Sequence, residues 1–258
     1  MRVKIQRHSL LDAPGSSTII FFPGCNMSCP YCHNVSLWRG EEEEDDLDIL
    51  EVKQYIVSRI VTNPKNTSYK EVDWIVLSGG EPMLHPGIVE RILDFSKNLG
   101  FKTCLYTNGT SEGSSEHIRH FVEDGFLDAV NLDYKWKMSD DRMTYSSYIE
   151  WARNLKTLLG GVSSGSVTHL RINTTLLKSY HTPDIMVDMK RTLVEMMKPD
   201  SPDIPIVRRR GSEWAAGITW SLETFFNDGG KIPTLGDLPP SETPSQFDVK
   251  QIILRMGS

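Results

Sequence analysis

"STIIFFPGCNMSCPYCHN", residues 17–34, sets an apolar, β-branched run directly against a loop holding three cysteines in eight positions. The run reads as a buried strand, and Pro23 and Gly24 end it before Cys25, Cys29 and Cys32. Reactive groups on a loop at the C-terminal end of a strand are the usual arrangement of parallel β/α folds. The rest of the chain is consistent with such a fold.

Downstream, short β runs alternate with helical periodicity. "DWIVLSGG" (73–80), "FKTCLYTNG" (101–109), "DAVNLDYK" (128–135) and "VTHLRINTTLL" (167–177) read as strands two to five. Between them, Ile49, Val52, Ile56 and Ile60 recur at helical spacing, as do Ile88, Ile92, Phe95 and Leu99 before Gly100. A short helix with Ile118, Phe121 and Val122 is expected to end at Gly125, and one with Tyr148, Ala152, Leu155 and Leu159 before Gly160. Thr182 and Pro183 open a further helix as cap and first residue. Residues 199–247 carry seven of the chain's 14 prolines and read as an irregular or partly mobile excursion. "VKQIILRM" (249–256) and "IPIVRR" (204–209) compete for the sixth strand. The expectation is one domain over residues 1–258, of class α/β.

Hydrophobic residues make up 39% of the 258 and charged residues 24%, and no run is long and apolar enough to span a bilayer. The start, "MRVKIQRHSLLDAPG", has no signal-peptide pattern, so the expected setting is cytoplasmic, with no membrane partner. A net charge of −6 gives no general attraction to nucleic acid. The acidic run Glu41 to Asp46 reads as a solvated helix cap, and Arg208 to Arg210 as a basic turn able to dock an acidic surface. Four cysteines are too few for a disulfide framework in a chain this long, and a tight cluster points to metal or catalysis.

The spacing C-x3-C-x2-C lets one loop wrap three thiolates around a cubic iron–sulfur cluster, leaving the fourth iron open for a reactive ligand. The alternative is a zinc site completed by His33 or Cys104, which would make the chain a zinc-stabilised interaction protein. Zinc prefers two separated ligand pairs, Cys104 sits inside a strand as a small core residue, and His33 reads as a packing residue near the cluster.

The loop "CNMSCPYC", with Tyr31 before its last cysteine, resembles the hallmark of the radical S-adenosylmethionine (SAM) superfamily, and "SGGEP" resembles its second motif. That resemblance implies a partial (β/α)6 TIM-like barrel binding a [4Fe-4S] cluster through Cys25, Cys29 and Cys32, with SAM on the open iron. The glycines Gly79 and Gly80 are expected to let backbone approach the ligand, and Glu81, followed by Pro82, to accept from the cofactor's ammonium. Over most of residues 9–178 the chain is similar to glycyl-radical-enzyme activases, above all the activating component of anaerobic ribonucleotide reductase and more distantly pyruvate formate-lyase activating enzyme. "YTNGT" and "NLDYK" match that group, which implies SAM contacts for Asp133 and Lys135, with Thr107 and Asn108 beside them and Arg171 on cofactor or substrate. The implied partners are a glycyl radical enzyme as protein substrate and a flavodoxin- or ferredoxin-type electron donor. Tyr106 stands where the group often has a cation-binding aspartate, and cannot supply a carboxylate. A radical SAM enzyme acting on a small molecule or modified nucleobase is the alternative within the superfamily.

Overall fold

The computed structural model describes residues 1–41, 46–65, 67–137, 140–197, 206–208, 217–225 and 240–257. Its strands are β1 (Lys4–Ser9), β2 (Ser17–Phe22), β3 (Ile60–Thr62), β4 (Ser68–Lys70), β5 (Trp74–Gly79), β6 (Lys102–Thr107), β7 (Ala129–Asp133), β8 (His169–Leu176), β9 (Ile206–Arg208) and β10 (Gly217–Thr224). Its α-helices are α1 (Val35–Arg39), α2 (Ile49–Ser58), α3 (Pro86–Asn98), α4 (Ser114–Glu123), α5 (Tyr145–Ser164), α6 (Pro183–Met197) and α7 (Gln246–Gly257). The main sheet runs β1-β2-β5-β6-β7-β8-β10-β9, and every pairing from β2 onward is parallel. β1 lies antiparallel on the β2 edge, and among the described residues no ladder joins β1 to β9. The fold is thus a partial (β/α)6 TIM-like barrel, its six parallel strands being β2, β5, β6, β7, β8 and β10, with β1 and β9 added at its two edges.

Strand alternation sorts the side chains into two faces. Ile20, Phe22, Ile75, Leu77, Leu105, Val130, Leu132, Leu170, Ile172, Trp220 and Leu222 point outward into the main apolar core beneath the helices. The opposite face forms layers inside the barrel. Ile19, Val76, Cys104 and Ala129 sit in register as a small apolar layer, with Ala13 closing against it. Asn131, Arg171 and Thr219 align in the next, which Tyr106 joins across from Asn131, and Asp133, Asn173 and Ser221 in the one after. The interior therefore becomes more polar toward the C-terminal ends of the strands, where ligands of such folds bind.

Several sequence expectations are corrected. The sixth strand beside β8 is Gly217–Thr224, inside the span expected to be irregular. "VKQIILRM" is helical: Val249, Ile252 and Met256 fall at spacings of three and four and are buried, and Ser245 with Asp248 forms the start signal, their side chains exchanging bonds with each other's amides. Of "IPIVRR", Ile206–Arg208 is a strand, but at the edge beyond β10. Ile60 leaves the α2 face for β3, because α2 ends at Ser58. α5 does not stop at Gly160 but runs to Ser164 and ends at Gly165, φ +81°. Gly161 is a packing site: a Cβ there would come within 2.9 Å of Val122 and Val167. The N-cap of α2 is Asp48, in a capping box with Glu51. Glu42 to Asp45, Arg209 and Arg210 lie outside the described residues.

Candidate functional site

The loop after β2 is shaped by its own backbone. Gly24 takes φ +79°, its amide bonds to the Leu37 carbonyl, and Cys32 N–H closes a turn on the Cys29 carbonyl at 3.0 Å. Trp38 Nε1 donates to the Met27 carbonyl at 2.8 Å, fixing the loop to α1. The result turns Cys25, Cys29 and Cys32 toward one cavity of about 250 Å³, which Tyr31, Gly79, Gly80, Asn108, Asp133 and Lys135 also line. Among the described residues, no three Cys, His, Asp or Glu side chains converge closely enough to grip a single metal ion. The three thiols face a shared volume, an arrangement suited to a multinuclear cluster. A larger groove, about 860 Å³ between α4 and α5, contains no cysteine and is lined by mixed charges.

Burial pushes the Cys25 thiol up to about 11, against an opposing bond from the Met27 amide, and raises Cys29 too. Without a metal both thiols hold their protons at neutral pH; a bound cation would offset burial and favour thiolates. Lys135 supplies positive charge nearby. Burial works against its ammonium, but Asp133, whose Oδ2 lies at 2.6 Å, together with Tyr31 and Cys29 more than offsets it and keeps Lys135 protonated. Its Nζ also lies 5.7 Å from the Tyr31 ring centre.

The two glycines, which line the cavity, also serve local packing. A Cβ on Gly80 would stand 1.9 Å from the Gly24 carbonyl oxygen, and one on Gly79 2.3 Å from the Phe22 amide. They let the end of β5 lie flush against the cysteine loop, where Gly80 N donates to Phe22 O and Glu81 N to Gly24 O, both at 2.8 Å. Glu81 stands behind the cavity, 1% exposed, and accepts from Met83 N (2.9 Å), Thr107 Oγ1 (2.7 Å) and Asn108 N (2.7 Å). Burial nevertheless raises its carboxyl to about 7. Pro82 opens a short 3-10 helix, Pro82–Leu84, that carries Glu81 as its cap. Thr107 thus acts on the loop after β5.

Asn108 is directed at the cysteine loop. Its Nδ2 donates to Asn26 Oδ1 at 2.8 Å and reaches Cys25 Sγ at 3.8 Å; Asn26 Nδ2 donates to Thr110 Oγ1, which donates back to Asn108 Oδ1. Sequence reasoning missed this ring because Asn26 lies more than 80 residues from Asn108 and Thr110. Arg171 lies one layer below Asp133, 1% exposed, donating to Asn131 Oδ1 at 2.7 Å and to the Tyr106 hydroxyl at 2.5 Å. Tyr106 in turn donates to the Asp12 carbonyl, so it belongs to the barrel floor. His33 lines the cavity and packs 5.6 Å from Phe225, and burial lowers its pKa. Cys104 is fully buried in the inner apolar layer.

A further missed residue is His181, 2% exposed. Its Nδ1 accepts from Leu177 N at 2.9 Å, which leaves Nε2 to donate to the Lys135 carbonyl at 3.1 Å, while its ring stacks on Trp136. This strut ties the loop carrying Lys135 to the end of β8.

The sequence profile of the Radical SAM superfamily matches residues 19–173, which takes in the cysteine loop, the glycine-glutamate turn and the β7 and β8 polar layers. The chain belongs to the radical SAM superfamily. Among curated proteins it is 34% identical over 128 residues to one named as a glycyl-radical enzyme activating enzyme of Methanocaldococcus jannaschii, covering 49% of this chain and 47% of that protein. It is 28% identical over 160 residues to the pyruvate formate-lyase-activating enzyme of Clostridium pasteurianum, covering 58% and 62%. The Staphylococcus aureus enzyme of the same name matches at 31% over 127 residues, covering 48% and 49%. The chain thus spans about half to three fifths of the length of these relatives. Coproporphyrinogen III oxidase of Escherichia coli shares the fold, with a TM-score of 0.54 at 12% identity over 92% of this chain and 50% of that one. No helix among the described residues is long and apolar enough to cross a membrane.

Proposed function

We propose that this chain is a glycyl-radical-enzyme activase, which removes a hydrogen atom from the α-carbon of one glycine in a partner enzyme. Cys25, Cys29 and Cys32 would hold a [4Fe-4S] cluster, and three thiols for four irons leave one position for the methionine part of SAM. When bound, cluster and SAM supply a one-electron reductive cleavage of the sulfonium, giving methionine and a 5′-deoxyadenosyl radical. The chain's own residues bind and orient. Lys135, protonated beside Asp133, offers a cation to a carboxylate, and Asp133 an acceptor to hydroxyls. Glu81 positions the loop after β6 through its bonds from Thr107 Oγ1 and Asn108 N. Tyr31, Trp136, Leu177 and Phe225 form an apolar collar with Cys29 that keeps water from the reacting atoms.

The observation that carries the reading is the convergence of three thiols, Asp133 and Lys135 on one cavity. The activase assignment draws on the curated relatives and on the lack, among the described residues, of a ladder joining β1 to β9, the side on which a polypeptide loop would enter. The test is anaerobic incubation of the reconstituted chain with a flavodoxin- or ferredoxin-type donor, SAM and candidate glycyl radical enzymes, read by electron paramagnetic resonance. A glycyl radical signal on a partner is expected. SAM cleavage with no such signal on any candidate would favour a small-molecule or nucleobase substrate.

A further inference from the structure

Where β7 leaves the sheet, side chains replace the ladder. The β7–β8 register ends at Asp133 opposite Asn173, with one more backbone bond from Tyr134 N to the Asn173 carbonyl at 2.7 Å. The carbonyls of Asp133, Tyr134 and Lys135 are then each held by a side-chain donor from a different segment: Trp151 Nε1 of α5 at 2.8 Å, Thr174 Oγ1 of β8 at 2.7 Å and His181 Nε2, between β8 and α6, at 3.1 Å. Residues two apart on an extended segment point to the same face, so Asp133 and Lys135 both reach the cysteine cavity only while this stretch stays extended. The Tyr134 and Lys135 carbonyls belong to the two planar peptide units that flank the Lys135 Cα, and holding both sets the direction of its Cβ. Trp151 and Thr174 sit on regular elements. His181 sits on a loop, so its hold on Lys135 depends on how that loop closes.

We infer that His181 is a positioning residue for the cofactor site: by holding the Lys135 carbonyl it aims the Lys135 ammonium at the carboxylate of SAM's methionine part. The inference rests on the reading that Lys135 binds that carboxylate. The imidazole is fixed in one orientation and one tautomer. His181 N donates to the Leu177 carbonyl at 2.8 Å and Leu177 N to His181 Nδ1 at 2.9 Å, so both backbone groups of Leu177 close on the same residue. With Nδ1 accepting, the ring proton sits on Nε2, facing Lys135. Burial lowers the ring's pKa to about 4, so at neutral pH it carries that proton alone. Trp136, the residue after Lys135, lies at 14° to the imidazole in a stack, and the Tyr180 hydroxyl accepts from Lys137 N at 3.2 Å, so the segment is held on both sides of Trp136. His181 is not among the residues that line the cavity; it acts through Lys135.

Two amides separate the ring's two bonds. His181→Asn keeps an oxygen where Nδ1 accepts from Leu177 N but is too short to reach the Lys135 carbonyl, whereas His181→Gln, one carbon longer, can place an N–H where Nε2 stands. SAM affinity is measured on the reconstituted chain by anaerobic titration followed by electron paramagnetic resonance. His181→Asn is expected to lose at least fivefold in SAM affinity and His181→Gln to stay within twofold of wild type, with the rate of SAM cleavage at saturating SAM within twofold in both. Fivefold is about 1 kcal/mol, the usual net worth of one hydrogen bond. In the cluster-free chain without SAM, acetylation by acetic anhydride, followed residue by residue by mass spectrometry, reports on Lys135 itself. His181→Asn is expected to acetylate Lys135 at least threefold faster and His181→Gln at the wild-type rate, while Lys97, paired with Asp128 at 2.9 Å just before β7, reacts alike in all three. Wild-type acetylation of Lys135 in His181→Asn overturns the proposal, whether or not SAM affinity falls. Equal losses in both variants, or faster acetylation of Lys97 as well, also overturn it by assigning His181 to general stability. Faster acetylation of Lys135 alone, with SAM affinity unchanged, keeps the strut and overturns the reading that Lys135 binds SAM.

Discussion

Replacing Glu81 by Gln exposes the electrostatic cost built into the turn after β5. The carboxyl is 1% exposed and raised from 4.5 to about 7, burial outweighing its bonds from Asn108 N, Thr107 Oγ1 and Met83 N, with Asp133 adding repulsion. An acid raised on folding binds its proton more tightly in the folded than in the unfolded chain. Between pH 4.5 and 7 the folded state therefore carries the extra proton, and stability falls as pH rises through that window, levelling above it. At about 1.4 kcal/mol per pH unit the displacement amounts to about 3 kcal/mol. Gln loses an acceptor facing Asn108 N–H, but that penalty does not vary with pH. Urea unfolding of cluster-free, reduced wild type and Glu81→Gln at half-unit steps from pH 4.5 to 7.5 measures the difference directly. The stability of wild type relative to the variant is expected to drop by about 3 kcal/mol across the window. A difference constant to within about 1 kcal/mol would refute the reasoning, because it would mean that Glu81 ionises in the fold as easily as in the unfolded chain.

His181 titrates with the opposite sign. Burial lowers it to about 4 against the bond that Nε2 donates to the Lys135 carbonyl, so acidification from pH 6.5 to 4 is expected to cost wild type about 3 kcal/mol relative to His181→Gln in the same unfolding assay. Gly80→Ala forces a Cβ to within 1.9 Å of the Gly24 carbonyl oxygen, so iron bound after reconstitution is expected to fall below half that of wild type. Gly87→Ala, with nothing within 4 Å, is expected to retain full iron, and equal iron in both variants would contradict the packing role. Asn108→Ala removes a donor reaching Cys25 Sγ and is expected to make the cluster potential more negative in a potentiometric titration; an unchanged potential would show the contact to be idle.

The cysteine loop and the glycine-glutamate turn are legible in the sequence because each is local and each sits where a strand pattern ends. Five of the six barrel strands are legible for the same reason, their β-branched runs being bounded by turn residues. β10 escaped notice because it lies in a proline-rich span that reads as irregular, although the alternation of Ile218, Trp220 and Leu222 with polar residues is a strand signal. In "VKQIILRM" the β-branched composition masked a helical spacing that the Ser245–Asp248 start signal resolves. Gly160 and Gly161 look like a helix stop until Val122 and Val167 are brought against Gly161. At the site, residue types were readable but directions were not. Glu81 and Thr107 bond to each other, Asn108 turns to the cysteines, and Arg171 lies a layer below. The Asn26–Asn108–Thr110 ring and the His181 strut depend on distant segments meeting, which no spacing within one segment can reveal.

The central claim is that three cysteines carry a cluster whose remaining position accepts SAM. The most direct measurement is the electron paramagnetic resonance spectrum of the reduced, reconstituted chain before and after SAM is added, with iron and sulfide assayed on the same sample. The account predicts about four irons and four sulfides per chain and a spectrum that changes on adding SAM. A colourless zinc protein, or a cluster whose spectrum is indifferent to SAM, would contradict it.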